Sequence, residues 1–171
     1  DAAGNPAAPA TQAITVDETA PTVAITSPGG LTNQASQTIT GTVDIADAGS
    51  TVTILDGTTP IGTAIVQGNG SWSSNVTLGG GTNSLTAQVT DLAGNTATSS
   101  AVVYTVATTA PTIAITSPVA GDNIINKGEA AAGITISGTA TAGSAAVNGQ
   151  TATITIVDGA NVVKDTYTAT V

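Results

Sequence analysis

The stretch Asp17-Glu18-Thr19-Ala20-Pro21-Thr22-Val23-Ala24-Ile25-Thr26-Ser27-Pro28 returns, 90 residues on, as Ala107-Thr108-Thr109-Ala110-Pro111-Thr112-Ile113-Ala114-Ile115-Thr116-Ser117-Pro118. The match reaches backwards too, since Asp1-Ala2-Ala3-Gly4-Asn5 recurs as Asp91-Leu92-Ala93-Gly94-Asn95. Residues 1–28 and 91–118 are identical at 16 of 28 positions without a gap. A fixed period means one module repeated along a line. A spacing of 90 is too long for a solenoid repeat of ~20–50 residues and suits a β-sandwich of roughly 100.

Working outward, the 171 residues divide into three pieces. Residues 1–16 read as the last strand of a preceding module, with a turn at 1–5 and a strand at 6–16. Residues 17–106 read as a complete module. Residues 107–171 read as the first half of another, which makes the chain a fragment of something longer.

Within the complete module, β-branched runs alternate with Gly, Asn and Asp punctuation. They predict strands at 22–26, 37–43, 51–55, 61–67, 71–78, 84–90 and 96–106. Seven short strands with turn signals every ~8–12 residues mark an all-β immunoglobulin-like sandwich. Four more strands are expected in 107–171, after a longer loop at 119–132, and no helix is expected anywhere. Thr153-Ile154-Thr155-Ile156-Val157-Asp158-Gly159 matches Thr51-Val52-Thr53-Ile54-Leu55-Asp56-Gly57 at an offset of 102. Half a sandwich leaves apolar positions such as Ile134, Ile136, Ile154, Ile156 and Val162 uncovered, with open strand edges beside them.

Composition narrows function by exclusion. The chain has no Cys and no His, and its cations are Lys127 and Lys164 alone. Without thiols there is no disulfide and no sulfur chemistry. Without His the commonest general base and metal ligand are gone. A nucleic-acid binder needs a basic patch, whereas the net charge here is −9,. No apolar run approaches the ~18 residues of a membrane span. Ser and Thr abound in 17–106, but no His or Lys accompanies them there to activate one,. We therefore expect no enzyme.

The acids form a pattern. In a sandwich of this kind the chain leads in at one pole, where the loops after the second, fourth and sixth strands gather. Asp17 and Glu18 lie on the linker leading in, Asp44 and Asp47 in the loop after the second strand, and Asp91 in the loop after the sixth. Like charges packed together repel unless a hard cation accepts their oxygens, and calcium takes 6–8. Asp and Asn also favour turns with no metal at all. The second joint departs from the pattern, because Ala107 and Thr108 replace Asp17 and Glu18 and the loop at 140–150 holds no acid. Trp72 alternates with Ser71 and Ser73 on a strand, which favours packing over sugar binding.

The stretches Asp-Ala-Ala-Gly-Asn, Asp-Leu-Ala-Gly-Asn, Val16-Asp17-Glu18-Thr19-Ala20-Pro21 and Gly70-Ser71-Trp72-Ser73 resemble bacterial Ig-like repeats of large secreted adhesins and biofilm-associated proteins, many of them type I-exported. Asp122-Asn123-Ile124-Ile125-Asn126 and the run at 166–171 resemble a sister subtype. The resemblance implies an extracellular, cell-surface location, rod-forming tandem domains and structural calcium at the joints. On that basis the chain is expected to be a spacer whose partners are adjacent repeats of the same polypeptide. The alternatives are a self-associating filament subunit joined by strand complementation between chains, and an accessory binding module.

Overall fold

The computed structural model describes residues 2–171; Asp1, the first residue of the expected turn at 1–5, lies outside the described residues. The regular secondary structure of the chain is almost wholly strand. The first sheet has three strands, in the order β1 (Val23–Ile25), β3 (Ser36–Val43), β6 (Ser71–Thr77). The second contains β2 (Gly30–Thr32), β9 (Val102–Val106), β7 (Gly81–Thr90), β4 (Thr51–Asp56) and β5 (Thr59–Ile65) in that order, with β8 (Thr96–Thr98) paired to β7. Pairing is antiparallel in β1–β3, β4–β5, β4–β7 and β7–β8, and parallel between β2 and β9.

Two-residue alternation explains these strands. Along β3, Ile39, Gly41 and Val43 are buried while Thr38, Thr40 and Thr42 face solvent. Along β7, Asn83, Leu85, Ala87 and Val89 are buried and Ser84, Gln88 and Thr90 are exposed. Successive strand side chains point to opposite faces, so one row becomes the core and the other the surface. Apart from Trp72 and Tyr104 the core is aliphatic, and Ile39, Val52, Ile54 and Leu85 have no exposed surface. Each such side chain contributes about 1.5–3 kcal/mol relative to exposure.

Contacts gather the described chain into two compact units. One comprises the chain up to Gly29, Thr38–Val76 and Ser84–Val103. In it the two sheets press face to face: a Cβ on Gly62 of β5 would stand 2.8 Å from Val76 Cγ1 of β6. Trp72, 2 % exposed, lies over Gly41 at the centre, so its role is packing, as the alternation suggested.

The other unit comprises Gly30–Gln37, Thr77–Asn83 and Tyr104–Val171. It holds the β2–β9 register from Gly30↔Tyr104 to Thr32↔Val106, and Asn83, whose side chain braces the turn through the amide of Gly79 (3.0 Å) and the carbonyls of Gly79 and Gly81 (both 3.0 Å). It also holds two separate hairpin-like pairs, β10 (Thr112–Ile115) with β11 (Gly138–Thr141), and β12 (Thr151–Val157) with β13 (Val163–Thr170). None of residues 107–171 is buried.

Four expectations need correction. Residues 6–16 form no strand: all are exposed, with Ile14 at 82 % and Val16 at 77 %, and a strand needs a neighbour for its backbone groups,. The expected seventh strand is split into β8 and β9. Ser99 Oγ, at the break, accepts from the Ala87 amide (3.0 Å), replacing a ladder carbonyl and letting the chain step aside. The short β2 falls between the strands expected at 22–26 and 37–43, because each of its residues pairs 74 positions further on in β9 and local sequence cannot announce it. A helix does exist, α1 (Lys127–Ala132), where none was expected. Asn126 Oδ1 accepts from the amides of Gly128 (2.9 Å) and Glu129 (3.0 Å), and Glu129 accepts from the Asn126 amide (2.9 Å). This capping box, followed by three alanines, carries six residues into helix,.

Candidate functional site: the acidic pole

The turn after β7 organises this pole. Asp91 Oδ1 accepts from the Asn95 amide (2.8 Å) and Oδ2 from Asn95 Nδ2 (2.9 Å), while the Asp91 amide donates to the Asn95 carbonyl (3.0 Å). Gly94 occupies the left-handed position, φ 96°, that closes the loop,. At residues 91–95 Asp-Leu-Ala-Gly-Asn is thus a self-satisfied turn. These donors, the Asn95 side chain first, hold the Asp91 carboxyl below its ordinary value,.

Asn95 does more than brace Asp91. The same Nδ2 group lies 3.1 Å from the Asp17 carbonyl and 3.5 Å from that of Thr19, so it grips the linker leading into the module. Asp17 Oδ1 accepts from the Thr19 amide (3.0 Å), and Asp44 Oδ2 from the Thr22 amide (2.7 Å). Asn95 was not among the expected site residues; its signal was its place at the end of the repeated Asp-x-Ala-Gly-Asn.

The loop after β3 forms a 3₁₀ turn, Ile45–Asp47, which carries Asp47 into a groove shared with Asp17 and Asp91. Asp47 makes no side-chain hydrogen bond among the described residues. Its carboxyl is raised above the ordinary value, first by desolvation, then by the fields of Asp91, Asp44 and Asp17,. Four of the five expected acids are therefore close enough to be felt at one point. Glu18 is exposed on the linker. Among the described residues no three acidic side chains close into a metal-holding cluster. Among the described residues Asp47 has both carboxylate oxygens unengaged, and Asp17 and Asp44 have one each.

The joint at residues 107–110 is made differently. The Thr109 amide donates to Ser144 Oγ (2.8 Å), and the Ser144 amide to the Thr109 carbonyl (3.1 Å). Hydroxyl and backbone replace the carboxylates found at the first pole.

Residues 24–108 match the family model of the bacterial Ig-like domain. The fold of this chain is Ig-like. Among solved structures, the fibronectin(III)-like modules of Clostridium thermocellum CbhA align with 52 % of this chain and 99 % of theirs, at 22 % identity and a TM-score of 0.45. No curated protein matches the sequence. The groove at the pole of the Ig-like module is lined by acids, hydroxyls, small residues and Leu92.

Proposed function

We propose that this chain is a run of structural extender modules from a large bacterial surface protein, an adhesin or biofilm-associated protein, acting outside the cell and without catalysis of its own. The observation that carries this reading is the latch at the first pole. A spacer must fix the angle at which each module receives the chain. Here Asn95 and Asp44 hold the linker at Asp17, Thr19 and Thr22 through side chains rooted in the module. Neighbouring repeats of the same polypeptide are its partners.

A calcium ion at this pole would stiffen the joint further. Asp17, Asp44, Asp47 and Asp91 would hold it, relieving the repulsion that adds to desolvation in raising Asp47. When bound, the ion supplies charge neutralisation and oxygen coordination, not chemistry. At the second joint Ser144 and Thr109 would serve without metal.

Melting the chain in calcium and in chelator tests the reading. A ligand that binds the folded state alone raises stability by mass action, about 2.7 kcal/mol at a hundredfold excess over Kd. Asp17→Ala and Asp91→Ala should each remove the calcium response. Identical curves with and without calcium would remove the metal from the proposal while leaving the latch. Free motion of residues 17–22 relative to the module, seen by NMR relaxation, would remove the latch.

A further inference from the structure

The turn leading into β12 copies the turn leading into β4, bond for bond. The Gly49 amide donates to the Val66 carbonyl (2.9 Å) and the Gly149 amide to that of Val171 (2.7 Å). The Ser50 amide donates to the Asp47 carbonyl and the Gln150 amide to that of Val147, both at 3.0 Å. The Val66 amide donates to the Ser50 carbonyl (3.0 Å) and the Val171 amide to that of Gln150 (2.9 Å). Both glycines hold a positive φ, 92° at Gly49 and 79° at Gly149. Val147 therefore stands where Asp47 stands, and Asn148 where Ala48 stands. The second loop has lost a carboxylate and gained an Asn-Gly pair.

That pair carries a chemistry of its own. The amide nitrogen that follows an Asn can attack the side-chain carboxamide and close a five-membered succinimide ring. A side chain on the following residue crowds the approach, and Gly has none. A fold opposes the reaction by fixing the carboxamide with hydrogen bonds and by packing the attacking amide against its neighbours.

Asn-Gly occurs at two places, 69–70 and 148–149, and they are held differently. Asn69 Oδ1 accepts from the Ser71 amide (3.0 Å) and from Ser71 Oγ (2.7 Å). The Gly70 amide donates to the Gln67 carbonyl (2.8 Å), and the Gly70 carbonyl accepts from the Val43 amide (2.8 Å). A Cβ on Gly70 would collide with the Val43 carbonyl, so the turn has no room to distort. Asn148, by contrast, is exposed, and its carboxamide makes no hydrogen bond among the described residues. Nothing lies within 4 Å of a Cβ built on Gly149. Ala48, its counterpart's neighbour in the complete module, is exposed as well, so this position faces solvent by design of the turn. The bond from the Gly149 amide to Val171 is the restraint on the nucleophile, and a single backbone bond at an exposed turn opens in local fluctuations,.

We propose that Asn148-Gly149 is a self-modifying site, which converts Asn148 to aspartate or isoaspartate and places a negative charge in a loop built without one. The Gly149 nitrogen gives up its proton to solvent base and attacks Asn148 Cγ. The Cγ–Nδ2 bond breaks and the side-chain nitrogen leaves as ammonia. Water then opens the ring at one of its two carbonyls. Opening at Cγ restores the ordinary backbone and leaves aspartate; opening at the main-chain carbonyl leaves isoaspartate. Water is the co-reactant, and either product carries a carboxylate one position beyond the place that Asp47 holds in the first loop. The isoaspartate form also lengthens the backbone by one carbon inside the turn that ties Gly149 to Val171.

The test incubates the full chain in mildly alkaline buffer, folded and in urea, and maps both sites over time by digestion and mass spectrometry. In urea the two sites should convert at similar rates, since no structure distinguishes them. In the folded chain Asn148 should convert, and Asn69 should lag by about tenfold or more, the effect of two hydrogen bonds on its carboxamide. Ser71→Ala removes one of those bonds and should narrow the gap. Gly149→Ala should slow conversion at Asn148; because alanine is strained at that φ, Asn148→Gln, which alters an exposed side chain, is the second variant and should lose the acidic species seen on ion exchange. Equal rates at Asn69 and Asn148 in the folded chain would overturn the proposal. So would an Asn148 that stays intact in the fold while converting in urea.

Discussion

Replacing Gly41 by alanine adds a single methyl group at the point where three parts of the core meet. The new carbon would overlap the Ala24 carbonyl of β1 and the indole of Trp72. Neither can give way easily, since one is backbone and the other a ring 2 % exposed. Gly→Ala in a compatible site stabilises by about 0.4–1 kcal/mol through the unfolded chain. Overpacking a close-packed core costs about 1–3 kcal/mol. Displacing Trp72 forfeits part of the ~3–5 kcal/mol that deleting a buried Trp costs. The unfavourable terms win, and we expect a net loss of about 3 kcal/mol. For a domain this size that lowers Tm by roughly 12–24 °C, at about 4–8 °C per kcal/mol. Trp72 is the chain's one tryptophan, so its emission reports both melting and displacement. Thr42→Ala, on the exposed face of the same strand, is the control and should stay within about 0.5 kcal/mol of the parent. A Gly41→Ala protein melting within about 3 °C of the parent, with unchanged emission, would refute the packing argument.

Three further outcomes are expected. Among the described residues Trp72 Nε1 is buried without a hydrogen-bond partner; an orphaned donor costs about 1–3 kcal/mol, so Trp72→Phe should be far milder in urea unfolding than Trp72→Ala, at about 3–5 kcal/mol. Asn95→Ala should raise the Asp91 pKa toward the ordinary carboxylate value and free the linker, seen by NMR titration and by faster exchange at residues 17–22. The two perturbed carboxyls should act in opposite senses with pH. Asp91, held low when folded, stabilises above its unfolded pKa and loses that contribution as pH falls through the folded value, so Asp91→Asn should destabilise at pH 7 and little in acid,. Asp47, held high, favours the fold below its unfolded pKa and loses that contribution as pH rises through the folded value,. Asp47→Asn in chelator should therefore raise Tm at pH 7, with the gain fading in acid.

The strand pattern was legible because side-chain burial on a sheet has a period of two, and the residues of β3, β4, β6 and β7 obey it without exception at the core positions. The turns were legible for a related reason: Asp56-Gly57, Asn69-Gly70 and Gly94-Asn95 name backbone conformations that few other residues adopt. The convergence of Asp17, Asp44, Asp47 and Asp91 could be argued from sandwich connectivity. What partnered them could not. Asn95 reaching back 78 residues to Asp17 is a long-range contact, and nothing local to either residue encodes it. The same limit hid β2, whose pairing is wholly non-local, and the Ser99 step that divides β8 from β9. It also produced a strand at 6–16 that does not form, because alternation states which face a strand would bury and not whether a neighbour is there to bury it. The capping box of α1 was local and could have been read from Asn126 and Glu129. The repeat and the all-β class are properties of the sequence alone, since they follow from local geometry. Tertiary structure alone decided which edges are paired and which stay open, because a strand's hydrogen bonds are completed only by another stretch of chain.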